Sequence, residues 1–234
     1  MNVILRREWR SVFHSLSSYL FMGGFALLCG IIMTVFHFSY GYTNFEFGLP
    51  YYATALALVL PILTVCFFRP EKRGEGIQLL RMLPLSAKDW ILGKLWCLVC
   101  VWGVICGVMA ILPPILGAIG GVEYPSVYLG LLVLFLFGLA FIMIEAFISV
   151  SLSNRAAVWI VSYSVPVLLV LINNLADLLP WMWVRTAVEY VSLFGAMTPF
   201  VFSLVDIRVP VLYGSVAAVF GILAYRRGIR MIKE

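Results

Sequence analysis

Charged residues are scarce in this chain of 234 residues. They make up only 12% of the sequence, whereas about a quarter of the residues in soluble globular proteins are charged. Apolar residues make up 63%, and the mean hydropathy is +1.05. A chain this apolar cannot cover its surface with polar groups, which excludes an ordinary water-soluble fold. The composition is that of a protein embedded in a bilayer.

Histidine and exposed cysteine are also scarce. The chain has 2 histidines, and its 5 cysteines all lie inside apolar runs. A structural zinc site needs four ligands and a disulfide framework needs cysteines in exposed loops, so neither is expected. The pair Cys97 and Cys100 is predicted to be structural. We expect no metal and no cofactor in this chain.

The sequence lacks the residues of an enzyme site. A nucleotide-binding loop of the form G-x-x-x-x-G-K-[ST] is absent, because the only Gly-Lys pair, Gly93-Lys94, is followed by Leu95. An intramembrane enzyme needs convergent groups such as paired carboxylates or a histidine cluster. Glu145 is the only acidic residue well inside an apolar run. We therefore expect a protein that is not an enzyme.

Six long apolar runs are present instead. A helix of roughly 20 apolar residues crosses a hydrocarbon core of about 30 Å, whereas barrel strands alternate between apolar and polar residues. The runs cover residues 19–38, 50–68, 94–119, 127–152, 156–178 and 209–225. The fold class is therefore predicted to be all-α: a single polytopic membrane domain, residues 1–234, with six transmembrane helices.

Prolines and small residues predict two local features of these helices. Pro113 and Pro114 predict a kink in the third run. In the last run, a series of small residues predicts close packing against a neighbouring helix: Gly214, Ala217, Ala218 and Gly221.

The basic residues are distributed unevenly between the two ends of the runs. If the runs cross the membrane in turn, 14 of the 16 lysines and arginines lie on one side, and only Arg185 and Arg208 lie on the other. An excess of positive charge in short loops marks the cytoplasmic side, so both termini are expected in the cytoplasm. The net charge of +5 is then a topology signal. Its expected partners are anionic membrane lipids and not nucleic acid.

Two amphipathic stretches accompany the runs. Residues 1–18 carry apolar and basic positions at helical spacing, which predicts an interfacial helix. The run 19–38 that follows it is about 20 residues long and has no A-x-A-like site after it, so it is predicted to be a membrane helix and not a cleaved signal. Residues 179–208 are too apolar for a free loop, and they predict an outer amphipathic or re-entrant segment of short helices before the last run.

The interval 69–93 is the main polar stretch between two runs. Together with Lys94 it holds 6 of the 16 basic residues, and it also contains the apolar residues Ile77, Leu79 and Leu80. Membrane topology requires the charge but not the apolar residues. Apolar anchors surrounded by charge are typical of a surface that binds another protein, so the interval is predicted to contact a cytoplasmic partner.

This interval resembles a known motif. The sequence PEKRGEGIQLLRMLPLSAKDWILGKL is similar to the segment between the second and third membrane helices of ABC-2 permeases, the compact six-helix type found in gliding-motility and nitrous-oxide-maturation systems. The matching residues are Glu71, Lys72, Arg73, Ile77, Leu79, Leu80, Pro84, Ser86, Ile91 and Lys94. The chain departs from the motif at Glu75-Gly76, where the family has Gly-Thr, and at Gln78, where it has Glu.

The resemblance implies a permease subunit of an ATP-binding-cassette transporter, with export favoured, in the inner membrane of a prokaryote. Such a subunit pairs with a second permease half, identical or different, and with two copies of a separate P-loop ATPase that uses ATP and Mg²⁺. The ATPase-coupling residues that the resemblance implies are Glu71, Lys72, Arg73, Ile77, Gln78, Leu79, Leu80, Pro84 and Ser86.

Three polar residues of the runs are candidates for a substrate path: Glu145, Asn173 and Asn174. An ionised carboxylate at the bilayer centre costs about 2.5–3.5 kcal/mol on insertion scales, so Glu145 is expected to face protein or water, or to be protonated. The favoured alternative for Glu145 is a packing contact with a serine, a threonine or the backbone of a neighbouring helix. The alternative for the two asparagines is an interfacial position.

Two other functions are compatible with the sequence. The haem-exporter membrane subunit of cytochrome c maturation has six helices and a similar polar interval, although the basic tail and outer segment of this chain fit it less well. A membrane scaffold without transport activity is the other, and the coupling motif argues against it.

Overall fold

The chain folds into helices throughout its described part. A computed structural model describes residues 9–10, 15–39, 45–68, 87–117, 123–176, 182–183, 186, 188, 192–201, 204 and 206–233. The α-helices are α1 (Leu16–Ile32), α2 (Leu49–Phe68), α3 (Ala87–Met109), α4 (Leu112–Gly117), α5 (Tyr124–Ser151), α6 (Arg155–Ala176), α7 (Thr198–Val201) and α8 (Arg208–Lys233). A π-helix, Met33–Ser39, extends α1, and 3₁₀ turns cover Phe45–Gly48 and Gly195–Met197. The all-α prediction is confirmed for these residues.

Five of the helical segments are long and apolar enough to cross a membrane. They are Leu16–His37, Leu49–Phe68, Lys88–Ile115, Tyr124–Ser151 and Arg208–Met231. Of the remaining predicted run, 156–178, residues 156–176 lie on α6, in which Ala156–Ile172 forms a shorter apolar stretch. A multi-pass helical membrane protein is therefore the class that the structure supports.

Two helices extend beyond their apolar runs. Helix α3 begins at Ala87, seven residues before the apolar run that starts at residue 94, and α8 has 26 residues and extends past the run 209–225. The added turns carry exposed charged residues such as Lys88 and Arg227. Charged side chains end an apolar run but are good helix formers, so the helix continues past the apolar part.

The paired prolines break the third segment instead of only bending it. Helix α3 ends at Met109, Ala110 and Ile111 form a turn, and α4 begins at Leu112. A proline clashes with the carbonyl group four residues earlier, and for Pro113 that residue is Met109. The helix therefore ends where the steric conflict would begin.

Helices α2 and α5 form the centre of the bundle. In their apolar windows 72% and 61% of the residues are buried, against 22% in α1 and 17% in α8. Helices α5 and α8 pack parallel, since Phe137 contacts Tyr213 near one end and Phe147 contacts Phe220 farther along both helices, each pair with ring centroids 5.8 Å apart. The outer helices α1 and α8 therefore leave broad apolar faces for lipid or for another protein.

The small residues of α8 do not all serve helix packing. A Cβ atom added to Gly221 would lie 3.4 Å from the Sδ atom of Met143 on α5, so this glycine is at a helix contact. Gly214 has no atom within 4 Å of such a Cβ, and Ala218 is exposed. The prediction of close packing is confirmed at Gly221, whereas Gly214 and Ala218 make no such contact within the described part of the chain.

One end of the bundle gathers exposed basic side chains. The end of α2, the start of α3 and the end of α8 meet there, because Lys94 of α3 contacts Phe67 of α2 and Ile91 of α3 packs against Gly228 of α8. We call it the basic end, and its exposed basic residues among the described side chains are Lys88, Arg226, Arg227 and Arg230.

Candidate functional site

The predicted coupling residues lie outside the described part of the chain. All of them fall between residues 69 and 86: Glu71, Lys72, Arg73, Ile77, Gln78, Leu79, Leu80, Pro84 and Ser86. Most of the predicted interfacial helix 1–18 is also outside it. Within the predicted outer segment 179–208, the described pieces include the 3₁₀ turn Gly195–Met197 and helix α7. These assignments remain predictions.

A buried lysine joins the two helices on either side of that interval. Lys94 is only 1% exposed, although it lies in the second turn of α3. Its Nζ atom donates a hydrogen bond of 2.9 Å to the main-chain oxygen of Phe67, near the end of α2. The same atom lies 4.3 Å from the ring centroid of Phe67, 5.3 Å from that of Trp90 and 5.4 Å from that of Phe68.

The position of Lys94 follows from the chemistry of a helix end. The last four carbonyl groups of a helix have no partner within it, and the aligned peptide dipoles leave a partial negative charge there. An ammonium group satisfies one such carbonyl group and is also attracted to the faces of aromatic rings. Since Trp90 and Lys94 are one turn apart on α3, both side chains can reach the end of α2. Lys94 therefore connects the end of α2 to the start of α3, the two helices between which residues 69–86 lie in the sequence.

Helix α8 joins the same contact. A Cβ atom added to Gly228 would lie 2.8 Å from the Cδ1 atom of Ile91, so the backbone of α8 and the first turns of α3 are in close contact. Ile91 is fully buried. Lys94 and Ile91 are thus on one helix and contact two others, which makes the start of α3 the structural junction of the basic end.

From the sequence alone, Lys94 is a topology charge and a match to the motif, but it is not predicted to be a site residue. A lysine next to an apolar run commonly extends its charged end to the membrane surface. The signal that could have identified it is the aromatic pair Phe67-Phe68 at the end of the preceding run. An aromatic pair gives a buried ammonium group favourable contacts that an aliphatic end does not.

The second site is built around Glu145, at the junction of α2, α5 and α6. Glu145 is 0% exposed, and neither carboxylate oxygen has a hydrogen-bond partner among the described residues. The hydroxyl groups of Thr64 on α2 and Ser162 on α6 lie close to the carboxylate. Neither forms a hydrogen bond with it: the Thr64 hydroxyl donates to the main-chain oxygen of Leu60 at 3.3 Å, and Ser162 Oγ has no partner in the described part.

These contacts separate the two interpretations of Glu145. The side chain faces protein and has a serine and a threonine from two neighbouring helices beside it, as the packing interpretation expects. The hydrogen bonds that would make it an ordinary packing contact are not formed. Glu145 is therefore a buried polar group whose hydrogen-bonding capacity is not used within the described structure, which is rare in folded proteins.

The structure does not bring the asparagines to Glu145. Asn174 is exposed, and the side chain of Asn173 is outside the described part. Asn174 follows Ser162 by twelve residues on the same helix, which corresponds to about 18 Å along the axis at a rise of 1.5 Å per residue. Glu145 and the two asparagines, the candidates for a substrate path, therefore lie at different depths along the axis of the bundle.

A cavity near the start of α8 was not foreseen from the sequence. It has a volume of about 350 Å³, and its lining includes Thr198, Asp206 and Arg208. The Asp206 carboxylate accepts a hydrogen bond of 3.0 Å from the main-chain N–H of Arg208, and its Oδ1 atom lies 3.8 Å from Arg208 Nε. These groups lie at the end of the bundle opposite the basic end.

The described residues contain no group of three or more histidine, cysteine, aspartate or glutamate side chains placed to hold a metal ion. The cysteines, all of them described, are free thiols. Apart from hydroxyl groups, the buried polar side chains of the described residues are those of Lys94, Glu145 and His37. Comparison of the sequence with protein-family models and with curated proteins gives no match.

Proposed function

We propose that this chain is the permease subunit of an ATP-binding-cassette transporter of the ABC-2 type. The observation that carries the proposal is the interval 69–93, which combines the charge and apolar residues of that family's coupling segment. The bundle supports it in one respect. The helices on either side of the interval are joined by Lys94, so that a force on the interval acts on α2 and α3 together.

The mechanism follows from this connection. Closure of the ATPases on ATP displaces the interval, and the displacement passes to α2 and α3 as a unit. Because Ile91 contacts Gly228, α8 moves with them. The result is a transition between two arrangements of the bundle, biased by nucleotide. Two copies of a P-loop ATPase, which bind ATP and Mg²⁺, supply the energy, and a second permease half completes the substrate path.

The proposed topology has six spans, with α6 as the fifth of them and both termini in the cytoplasm of a prokaryotic cell. The basic end then faces the cytoplasm, in accord with the positive-inside rule. Export is the proposed direction, on the basis of the resemblance alone.

The proposal is tested by isolating the tagged chain from its membrane in a mild detergent. Proteins that accompany it are identified by mass spectrometry, and ATPase activity is measured on the product. In the test variant Ile77, Leu79 and Leu80 are all changed to serine. We expect a P-loop ATPase to accompany the native chain, and we expect the variant to lose it or to lose the coupling of ATP hydrolysis to transport.

The matched control changes three exposed apolar residues far from the interval, Met182, Trp183 and Leu204, to serine. This control should retain the ATPase. Absence of any ATPase from the native preparation would contradict the proposal and favour a scaffold or an ATP-independent carrier. Equal loss in both variants would mean that the interval is not the docking element.

A further inference from the structure

Glu145 differs from the other acidic residues of the described structure. Four acidic side chains are described, namely Asp89, Glu123, Glu145 and Asp206, and Glu145 is the only buried one. It belongs to an apolar helix and lies among apolar neighbours in the hydrophobic core. Water therefore does not solvate its carboxyl group in this arrangement of the helices.

The surroundings of Glu145 offer polar oxygen atoms but no positive charge. Thr64 faces it from α2 and Ser162 from α6, and Tyr163 of α6 lies within electrostatic range. One turn along α5, Ser149 is also buried. No lysine, arginine or histidine of the described residues acts on the carboxylate. An ionised carboxylate in such a place would keep most of the cost of its desolvation, because no positive charge compensates it.

We propose that Glu145 is an intramembrane proton-binding site, in which the carboxyl group is neutral while α2, α5 and α6 are packed together. A neutral carboxyl group has one O–H donor, and the oxygen atoms of Ser162 and Thr64 are the acceptors within its reach. A neutral carboxyl group needs no cation beside it, which agrees with the lack of a positive charge near Glu145 among the described residues. The inference does not rest on the proposed transport function, because it concerns the resting arrangement of three helices.

The site links the packing of α6 to a proton. If α6 separates from α2, water enters, and the Glu145 O–H group can transfer its proton to water and leave a solvated carboxylate. Ionisation then favours the separated arrangement and protonation favours the packed one, since each form of the carboxyl group stabilises the arrangement that solvates it better. The exposed asparagine at the end of α6, Asn174, does not contribute to this effect because of its distance along the helix.

Infrared spectroscopy of the full chain in lipid vesicles at neutral pH tests the proposal. A protonated carboxyl group has a C=O stretching band at higher frequency than carboxylate and amide bands, and this band shifts in D₂O. We expect such a band in the native protein and its loss in Glu145→Gln, which retains the shape of the side chain without the acid.

Two serine variants assign the band even if Glu145→Gln does not fold. Ser162→Ala removes a hydroxyl group beside the carboxyl group and should shift the frequency. Ser151→Ala removes a buried hydroxyl group six residues farther along α5 and should leave the frequency unchanged. Absence of the band from the native protein, its persistence in Glu145→Gln, or its insensitivity to Ser162→Ala would overturn the proposal.

Discussion

The substitution Lys94→Met tests whether the start of α3 is held to the end of α2 as the structure indicates. Methionine is unbranched and close in length to lysine, so it can occupy the space between the aromatic rings. It removes the ammonium group that donates a hydrogen bond of 2.9 Å to the main-chain oxygen of Phe67. The volume at the contact is retained, and the charge and the donor are lost.

The expected loss of stability is the balance of three effects. The Phe67 carbonyl group is left without this donor, which costs about 1–3 kcal/mol for a buried polar group. The attraction between the ammonium group and three rings is lost, at about 2 kcal/mol for a desolvated contact. Relief from burying a charge offsets part of both. We expect a net loss of about 2 kcal/mol in the free energy of unfolding.

The assay is the unfolding of the purified chain in one fixed lipid or detergent mixture, with Lys88→Met as the matched control. Lys88 is on the same helix one and a half turns earlier and is exposed. Surface substitutions of this kind are usually within about 0.5 kcal/mol of the native protein. If Lys94→Met is as stable as Lys88→Met, the contact does not hold α2 to α3, and the proposed transmission through α3 loses its structural basis.

Two further substitutions test the packing of the bundle. Gly138→Ala should destabilise the protein by about 1–3 kcal/mol, because the added Cβ atom would collide with the Trp102 indole. Gly103→Ala adds a Cβ atom with no neighbour within 4 Å and should stabilise the helix by about 0.5–1 kcal/mol. A change of stability with the same sign in both variants would contradict the packing of α3 against α5. Tyr213→Phe removes a buried hydroxyl group that donates a hydrogen bond of 2.7 Å to the main-chain oxygen of Leu193. It should lower the free energy of unfolding by about 0.5–2 kcal/mol, measured by thermal or denaturant unfolding. An unchanged midpoint would refute this hydrogen bond.

The membrane helices could be predicted from the sequence because the requirement is local. In a hydrocarbon core every backbone polar group must be paired within the protein, and a helix pairs its own. A run of about 20 apolar residues therefore predicts a helix without knowledge of its neighbours. The ends of the apolar runs do not coincide with the ends of the helices, as at α3 and α8, because hydropathy marks the edge of the apolar region and not the end of the helix.

The functional contacts could not be predicted in the same way. Lys94 is one of six basic residues in or beside the interval 69–93, and only the fold shows that it is buried against Phe67, 27 positions earlier. The substrate-path candidates were recognised as polar residues within or at the ends of apolar runs. Their separation into a buried site at Glu145 and an exposed position at Asn174 follows from the packing of α6. The coupling residues between 69 and 86 stay a prediction.

The sequence by itself determined the class of protein, the helical content and the uneven distribution of basic charge. Tertiary structure decided which face of each helix is buried. Leu134 is fully buried on α5 while Leu132 is 51% exposed, although both are leucines in the same apolar run. In lipid an outward face is as apolar as an inward one, so hydropathy carries little information about the rotation of a helix. Packing alone places Lys94 against Phe67 and Glu145 between Thr64 and Ser162.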